Sequence, residues 1–251
     1  MYLIVQENIA RKHLANWLKQ TQETGEDHIL MRAARFLNMD TSIRVFCGNH
    51  VTEEAVLEIN DKYWLITNSL ELVNFPFALP GTKIYKAVQA RKRVIYWLES
   101  AAAKSKIAMA NGQEPECMLD HWISVITDPN FKGRSDFSDH EMALTLFSFL
   151  FASQDAMTSG LIYAFQHLSD HPEILAKVRE EQERVRLGDY TSAITLDQLD
   201  QMTYLFAFVK ESLRVKPPVI MVSRTLQTLY VGCLSFSGLG SLQDTPGLPH
   251  L

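Results

Sequence analysis

The sequence predicts a mainly α-helical protein, and two observations support this fold class. Apolar residues recur at helical spacing through almost every segment before residue 223. Runs of alternating β-branched residues bounded by turns, which would indicate strands, are scarce over the same stretch. The chain has 251 residues, 47% of them hydrophobic, so it is long enough to bury a substantial core. A wholly disordered, fibrous or low-complexity protein is therefore excluded.

Local start and stop signals define the helices of the first half of the chain. The first helix is expected to end before Gly25, and the second to stop at Gly48. Thr52 is expected to begin the third helix. The two glutamates that follow it would lie in the first turn, where the positive end of the helix dipole stabilises carboxylates. The two prolines of NFPFALPG are expected to interrupt helical structure at residues 74–81. The segments predicted as helices are residues 3–24, 27–46, 52 onward, 82–109 and about 117–126.

The best-defined element is a long central helix that begins at residue 138. Ser138 and Glu141 form a capping box, and the helical pattern continues to Pro172, about 30 residues or roughly 45 Å. Its apolar residues lie on all sides, which predicts burial on all sides, inside a helical domain or inside a bilayer. Asp155 in its middle would cost roughly 2.5 to 3.5 kcal/mol in a bilayer, so a protein core is the favoured environment.

Three further helices are expected before the pattern of the sequence changes. The first, HPEILAKVREEQERVR, has the amphipathic pattern typical of a surface helix. Thr195 and Gln198 form a second capping box that opens a short helix. The last helix, about residues 204–215, ends in two prolines.

The composition and periodicity of the sequence change after Arg224. The remaining residues include one acidic side chain and scattered glycines and prolines, and they have neither helical nor strand periodicity. We therefore expect a helical domain over residues 1–222 and a poorly ordered tail over residues 223–251. The tail resembles translated intron or frameshifted sequence.

Charge and cysteine content exclude several classes of function. Twenty-four basic and 29 acidic residues give a formal charge of −5 without a basic stripe, so nucleic acid is not an expected partner. Three widely spaced cysteines cannot form a complete disulfide framework, which makes a reducing compartment the default. The first residues lack the pattern of a secretory signal.

No metal ligand is predicted from the sequence. The cysteines match no paired zinc spacing, and His167 and His171, although spaced i, i+4, are followed by Pro172 and by no third ligand. A G-x-S-x-G elbow, a phosphate-binding loop and a G-x-G-x-x-G fingerprint are absent from the sequence. Hydrolase, nucleotide-binding and Rossmann-type functions therefore have no support.

One set of residues indicates a candidate site: Asp155 within ASQDA, and Glu211 with Arg214 within KESLR. An acid in an apolar helix must be hydrogen-bonded, ion-paired or neutralised, so Asp155 predicts a polar site in the core. Glu211 and Arg214, spaced i, i+3, are expected to form a charge-assisted pair. Small residues near Asp155 would thin the helix on one side and leave room for a ligand; they are Ala152, Ser153, Ala156 and Gly160.

The order of these segments resembles the cytochrome P-450 family of haem-thiolate oxygenases. FLFASQDAMTS is similar to the family's central helix with its [AG]-G-x-[DE]-T pattern, SDHPEILAKVREEQ to the start of the next helix, and KESLRVKPPV to the E-x-x-R helix. The resemblance covers residues 1–222, about helices D to K. FASQDA, LELVNFPFALPGTK and the REEQ run are most similar to the fungal sterol C-22 desaturases.

The resemblance implies a haem cofactor and a reaction. Two hydrogens would be removed across the C-22/C-23 bond of the sterol side chain, with O₂ and an NADPH-dependent reductase as partners. The family location is the endoplasmic reticulum membrane, although no transmembrane segment is predicted in this chain. Ser153 and Ala156 stand where the family usually has glycine and threonine, which favours desaturation over hydroxylation. The implied site residues are catalytic Asp155, haem-binding Ala152 and Ala156, substrate-pocket Phe151, and the structural pair Glu211 and Arg214.

The family's haem ligand, a cysteine thiolate in F-x-x-G-x-x-x-C-x-G, is not expected in this protein. Cys233 is the sole candidate, but it follows Arg214 too soon and three flanking positions depart from the motif. Cys47 and Cys117 lie on the wrong helices and are expected to behave as small buried hydrophobes. The departing positions are Leu226, Leu229 and Ser235.

We therefore expect the central helical portion of the cytochrome P-450 fold, without its N-terminal region and most of its β-sheets. Little or no desaturase activity is expected. An alternative from another class is a non-catalytic helical remnant or interaction protein. A helical binding module unrelated to haem is a third, and it would gain support if Asp155 and the Glu211–Arg214 pair were exposed and far apart.

Overall fold

The structure, a computed structural model, describes residues 2–25, 30–69 and 78–218. These ranges contain α-helices, one 3-10 helix at Gly48–His50, and no β-strand, in agreement with the predicted fold class. The helices are α1 (Tyr2–Thr24), α2 (Leu30–Cys47), α3 (Glu53–Thr67), α4 (Lys83–Ala110), α5 (Met118–Thr127), α6 (Asp139–Asp170), α7 (Pro172–Arg186), α8 (Leu196–Asp200) and α9 (Thr203–Val215).

Two predicted features fall wholly or partly outside the described residues. One is the proline break, of which only residues 78–81 are described, and the other is the tail over residues 223–251 with Cys233. The described residues belong to one compact unit that extends to Pro218. The predicted domain boundary at residue 222 therefore stays a prediction.

Polar side chains cap the helices at the positions where the sequence predicts helix starts. Ser138 Oγ accepts from the N–H of Glu141 at 3.2 Å, and a Glu141 carboxylate oxygen accepts from the N–H of Ser138 at 2.9 Å. The Ser138 N–H, together with Arg134, lowers the pKa of Glu141 to about 2. The other predicted caps also form, Thr52 on α3 and Thr195 with Gln198 on α8, and the structure adds a cap by Thr82 on α4.

Helices α2 to α6 contribute to one hydrophobic core. Its centre contains large side chains without solvent exposure, such as Ile43, Ile59, Leu98 and Leu146. Burial of each such side chain stabilises the fold by about 1.5 to 3 kcal/mol. Helix α1 packs on α2, and α7 and α9 pack on α6. This arrangement holds α6 against α2 and α4.

The central helix α6 is buried along one face only, so the prediction of burial on all sides is wrong. Leu146, Leu150, Gln154 and Thr158 are buried, whereas Met157 is 62% exposed. The reason is that α2 and α4 pack against one side, and the described part of the protein leaves several large side chains uncovered. They are Phe149, Phe151, Met157 and Phe165. Among the described residues, no helix combines the length and the apolar content that a bilayer span requires.

Candidate functional site

A row of polar contacts joins α6 to α2 at the predicted site. We call it the α2–α6 polar seam; it consists of Arg35, Asn38, Ser42, Ser153, Gln154, Asp155 and Thr158. The three α2 residues are spaced i, i+3 and i+7, which places them on one helix face. Sequence reasoning missed them, although this spacing of polar side chains was an available signal.

Asp155 forms an ion pair with Arg35 at the solvent edge of the seam. Arg35 Nη1 donates to Asp155 Oδ1, and Nη2 donates to Thr67 Oγ1 at 3.3 Å. The guanidinium also stacks on Trp64, with its Cζ 4.7 Å from the ring centroid. The Arg35 side chain is 14% exposed, whereas that of Asp155 is 47% exposed. The prediction of a paired acid is confirmed, but its burial in the core is wrong, because Asp155 lies where the seam meets the exposed side of α6.

The inner part of the seam is more buried and contacts the α6 backbone. Asn38 Nδ2 donates to the carbonyl oxygens of Ser153 and Gln154, at 3.3 and 3.0 Å. Gln154 is almost fully buried, and its Nε2 donates to the carbonyl oxygen of Arg35 at 2.8 Å. Ser153 Oγ lies 3.3 Å from Ser42 Oγ. Ser153 therefore faces α2, and it does not help to open space on the other side of the helix.

The open side of α6, which we define as Phe151, Ala152 and Ala156, carries the other predicted site residues. Phe151 and Ala152 are exposed, and Ala156, one turn beyond Ala152, is partly exposed. Gly160 faces α9 instead, because a Cβ at this position would lie 3.5 Å from Leu213 Cδ2. Of the four small residues, only the two alanines therefore lie on the open side.

Glu211 and Arg214 form the predicted pair on α9. Arg214 Nη2 donates to Glu211 Oε1 at 2.6 Å, and Nε donates to Oε2 at 2.8 Å. This bidentate contact lowers the pKa of Glu211. Both side chains are largely exposed. The pair is confirmed, whereas its structural role stays a prediction.

A buried carboxylate on α7, which sequence reasoning missed, positions α9. Glu181 accepts from the N–H groups of Tyr204 and Leu205, both at 2.8 Å. These peptide groups belong to the first turn of α9, where no intrahelical acceptor exists. His167 Nδ1 on α6 lies 3.0 Å from Ser212 Oγ. Helix α9 is thus tied to both α7 and α6.

The helices are arranged as in the cytochrome P450 fold. A solved structure described as retinoic acid bound cyanobacterial CYP120A1 matches with a TM-score of 0.64. The match covers 86% of this chain and 45% of that chain at 22% sequence identity. At this identity the likeness concerns the fold alone.

The family model for cytochrome P450 matches residues 2–231, and the chain therefore belongs to the cytochrome P450 family. It is 38% identical over 240 residues to C-22 sterol desaturase ERG5A of Gibberella zeae, covering 88% of this chain and 45% of that protein. It is 35% identical over 229 residues to C-22 sterol desaturase ERG5 of Saccharomyces cerevisiae, covering 88% and 43%. The expected likeness to fungal C-22 desaturases is confirmed. The chain spans less than half the length of these relatives.

The helical module unrelated to haem stays an open alternative, because Asp155 is half-exposed and the Glu211–Arg214 pair is largely exposed. Cytochromes P450 use haem, and the open side of α6 fits one face of a flat apolar group because its two alanines are small. The axial ligand does not fit among the described residues: Cys47 and Cys117 are buried in the core, and burial raises the pKa of both thiols. Cys233 lies outside the described residues.

Proposed function

We propose that this chain is part of a haem-dependent sterol C-22 desaturase-like oxidoreductase. The reaction would remove two hydrogens across the C-22/C-23 bond of the sterol, with O₂ and electrons from NADPH through a reductase. Similarity to C-22 sterol desaturases over 88% of the chain supports this substrate class. The observation that carries the proposal is the open side of α6, where an apolar surface of small side chains adjoins the paired Asp155.

The described residues would supply the surroundings of the cofactor on its oxygen-binding side. When bound, haem supplies the oxygen-activating chemistry. Ala152 and Ala156 leave room for a flat ring, and Phe151 offers an apolar wall to the aliphatic tail of a sterol. Asp155 holds a carboxylate between solvent and this surface, from which it can pass a proton inward. Arg35 orients that carboxylate, since its own guanidinium is anchored on α3.

We also propose that the chain as it stands has little or no desaturase activity. Oxygen activation in this family needs an axial cysteine thiolate, and the two described cysteines are buried in the core as thiols. The residues around Cys233 depart from the family's cysteine motif at three positions. A non-catalytic helical protein that associates with another protein is the second candidate, and the exposed Met157 and its neighbouring phenylalanines favour it.

The test is reconstitution of the purified 251-residue chain with haem, followed by an absorption spectrum of the reduced, carbon-monoxide-bound form. We expect haem uptake without a thiolate-type band. A thiolate-type band that Cys233→Ser abolishes and Cys47→Ser preserves would refute the proposed inactivity. A protein that takes up no haem would refute the haem-dependent function. In that case size-exclusion chromatography with light scattering would test the second candidate through self-association.

A further inference from the structure

A second polar cluster lies where the 3-10 helix meets α4 and α5. His50 ends the 3-10 helix, Cys117 immediately precedes α5, and Asp120 lies in the first turn of α5. One possible ligand atom from each residue lies within 4.8 Å of the other two. We call these three residues the His50–Cys117–Asp120 cluster. It shares no residue with the α2–α6 polar seam.

Asp120 is the fixed centre of this cluster, and its side chain is only 3% exposed. Its Oδ1 lies 2.7 Å from His50 Nε2 and also accepts from Ser105 Oγ. Its Oδ2 accepts from the N–H of Glu116 at 3.1 Å. Burial opposes ionisation, but hydrogen bonds from Ser105, Cys117 and His50 outweigh it, so the pKa of this carboxyl group is lowered. The contacts with His50, Ser105 and the Glu116 N–H therefore hold a buried carboxylate in one orientation at the centre of the cluster.

We propose that the His50–Cys117–Asp120 cluster binds one Zn²⁺ ion. Imidazole nitrogen, thiolate sulfur and carboxylate oxygen are all zinc ligands in proteins, and three protein ligands leave the fourth tetrahedral position to water. A thiolate and a carboxylate neutralise the two positive charges of the ion. A cavity of about 350 Å³ borders His50 and Asp120 and gives water access to the fourth position. Ser105 and the Glu116 N–H hold the carboxylate in place.

Binding replaces the thiol proton of Cys117 by the metal ion. The Cys117 side chain is fully buried, and it would bind the ion as a thiolate. On binding, the S–H bond breaks, a Zn–S bond forms, and the proton is released to solvent. The step involves no change of oxidation state. The ion would join the end of the 3-10 helix to α5 and so stabilise this part of the core.

The cluster residues and Cys47 come from two short segments of the chain. Cys47-x2-His50 and Cys117-x2-Asp120 each place two possible metal ligands three positions apart, although neither pair has the Cys-x2-Cys spacing of common zinc sites. Three of these four residues converge, whereas the sulfur of Cys47 is not among the converging atoms. Cys47 is buried like Cys117. Cys47→Ser is therefore the matched control for Cys117→Ser.

The test uses the whole 251-residue chain, dialysed against a chelator and titrated with Zn²⁺ in competition with a chromogenic indicator, and then with Co²⁺. We expect one equivalent of Zn²⁺, a raised unfolding temperature, and a thiolate-to-cobalt charge-transfer band in the near ultraviolet. Cys117→Ser should abolish the band and weaken Zn²⁺ binding more than about tenfold, whereas Cys47→Ser should leave both unchanged.

The milder variant His50→Gln guards against loss of folding, because His50 is 18% exposed and lies at the rim of the core. We expect it to weaken Zn²⁺ binding more than about tenfold as well, with an unchanged circular dichroism spectrum. Failure to bind a stoichiometric ion would overturn the proposal. Binding that Cys117→Ser and His50→Gln leave unaltered would overturn it equally, and neither result depends on haem or sterol.

Discussion

Asp120 and Asp155 are both helix carboxylates with close partners, but their surroundings are opposite. Asp120 is 3% exposed and depends on a hydroxyl group, a peptide N–H and an imidazole. Asp155 is 47% exposed and pairs with a guanidinium group. Water can replace the partner of a half-exposed group, whereas a buried group that loses its partner stays unsatisfied. We therefore expect Asp120 to contribute more to the stability of the fold than Asp155, whose side chain stays accessible to solvent.

The largest effect is expected from Asp120→Ala. The substitution leaves the Ser105 hydroxyl, the His50 imidazole and the Glu116 N–H without their common acceptor inside the core. We expect the free energy of unfolding to fall by about 3 kcal/mol, measured by urea denaturation of the metal-free protein. Asp136→Ala, at an exposed carboxylate, is the control and should change it by less than about 0.5 kcal/mol. Equal effects of the two substitutions would show that the buried hydrogen bonds of Asp120 add no stability.

Glu181 extends the comparison to a second buried carboxylate. Glu181→Ala removes the acceptor of two N–H groups in the first turn of α9 and should lower the free energy of unfolding by about 2 kcal/mol. Glu181→Gln keeps one acceptor oxygen and should lose about half as much. Hydrogen exchange of the Tyr204 and Leu205 amides would locate the effect. Unchanged exchange at both amides in Glu181→Ala would contradict this account of how α9 is positioned.

The Arg35–Asp155 pair should show a smaller stabilisation, since half of the Asp155 side chain is exposed. A double-mutant cycle with Arg35→Ala, Asp155→Ala and the double variant should give a coupling energy of at most about 1 kcal/mol. The coupling should decrease further at high salt, because solvent ions screen exposed charges. A salt-independent coupling energy above about 2 kcal/mol would show that the Arg35–Asp155 pair behaves like a buried pair. Asp155 would then not differ from Asp120 in this respect.

The sequence predicted those features that depend on neighbouring residues. Ser138 and Glu141 are three positions apart, so their capping box and the start of α6 can be read locally. The same holds for the pairing of Glu211 with Arg214. The family resemblance rested on such local segments too, and it was confirmed.

Features that depend on packing between distant segments were missed or wrong. Arg35 and Asp155 are 120 residues apart, and His50 and Asp120 are 70 apart. The hydrophobic pattern of α6 carries no information about which side is covered, because α2 and α4 determine that. Asp155 could be recognised from the sequence because it is an acidic residue within an apolar helix. Asp120 sits in a short, ordinary amphipathic helix, and its burial follows only from the tertiary structure.

Glu141 provides the mildest test, because it accepts hydrogen bonds from a hydroxyl and a peptide N–H as Asp120 does, but at an exposed helix end. The Ser138 N–H, with Arg134, lowers the pKa of Glu141 to about 2 from its ordinary value of 4.5. A carboxylate with a lowered folded pKa stabilises the fold above the unfolded value, and this contribution is lost as the pH falls towards the folded value.

Glu141→Gln retains an acceptor oxygen and removes the charge, so its unfolding temperature should lie only slightly below that of the parent protein at neutral pH. Between about pH 5 and pH 2 the parent should lose more stability than the variant, and the two curves should converge at the acid end. Thermal unfolding followed by circular dichroism across this range measures the difference, with Glu183→Gln on the surface of α7 as the control. If the unfolding temperatures of the parent and of Glu141→Gln changed in parallel with pH, the charge of Glu141 would add nothing to the stability that its hydrogen bonds with Ser138 provide. Asp120 would then differ from Glu141 in the role of its charge as well as in its burial.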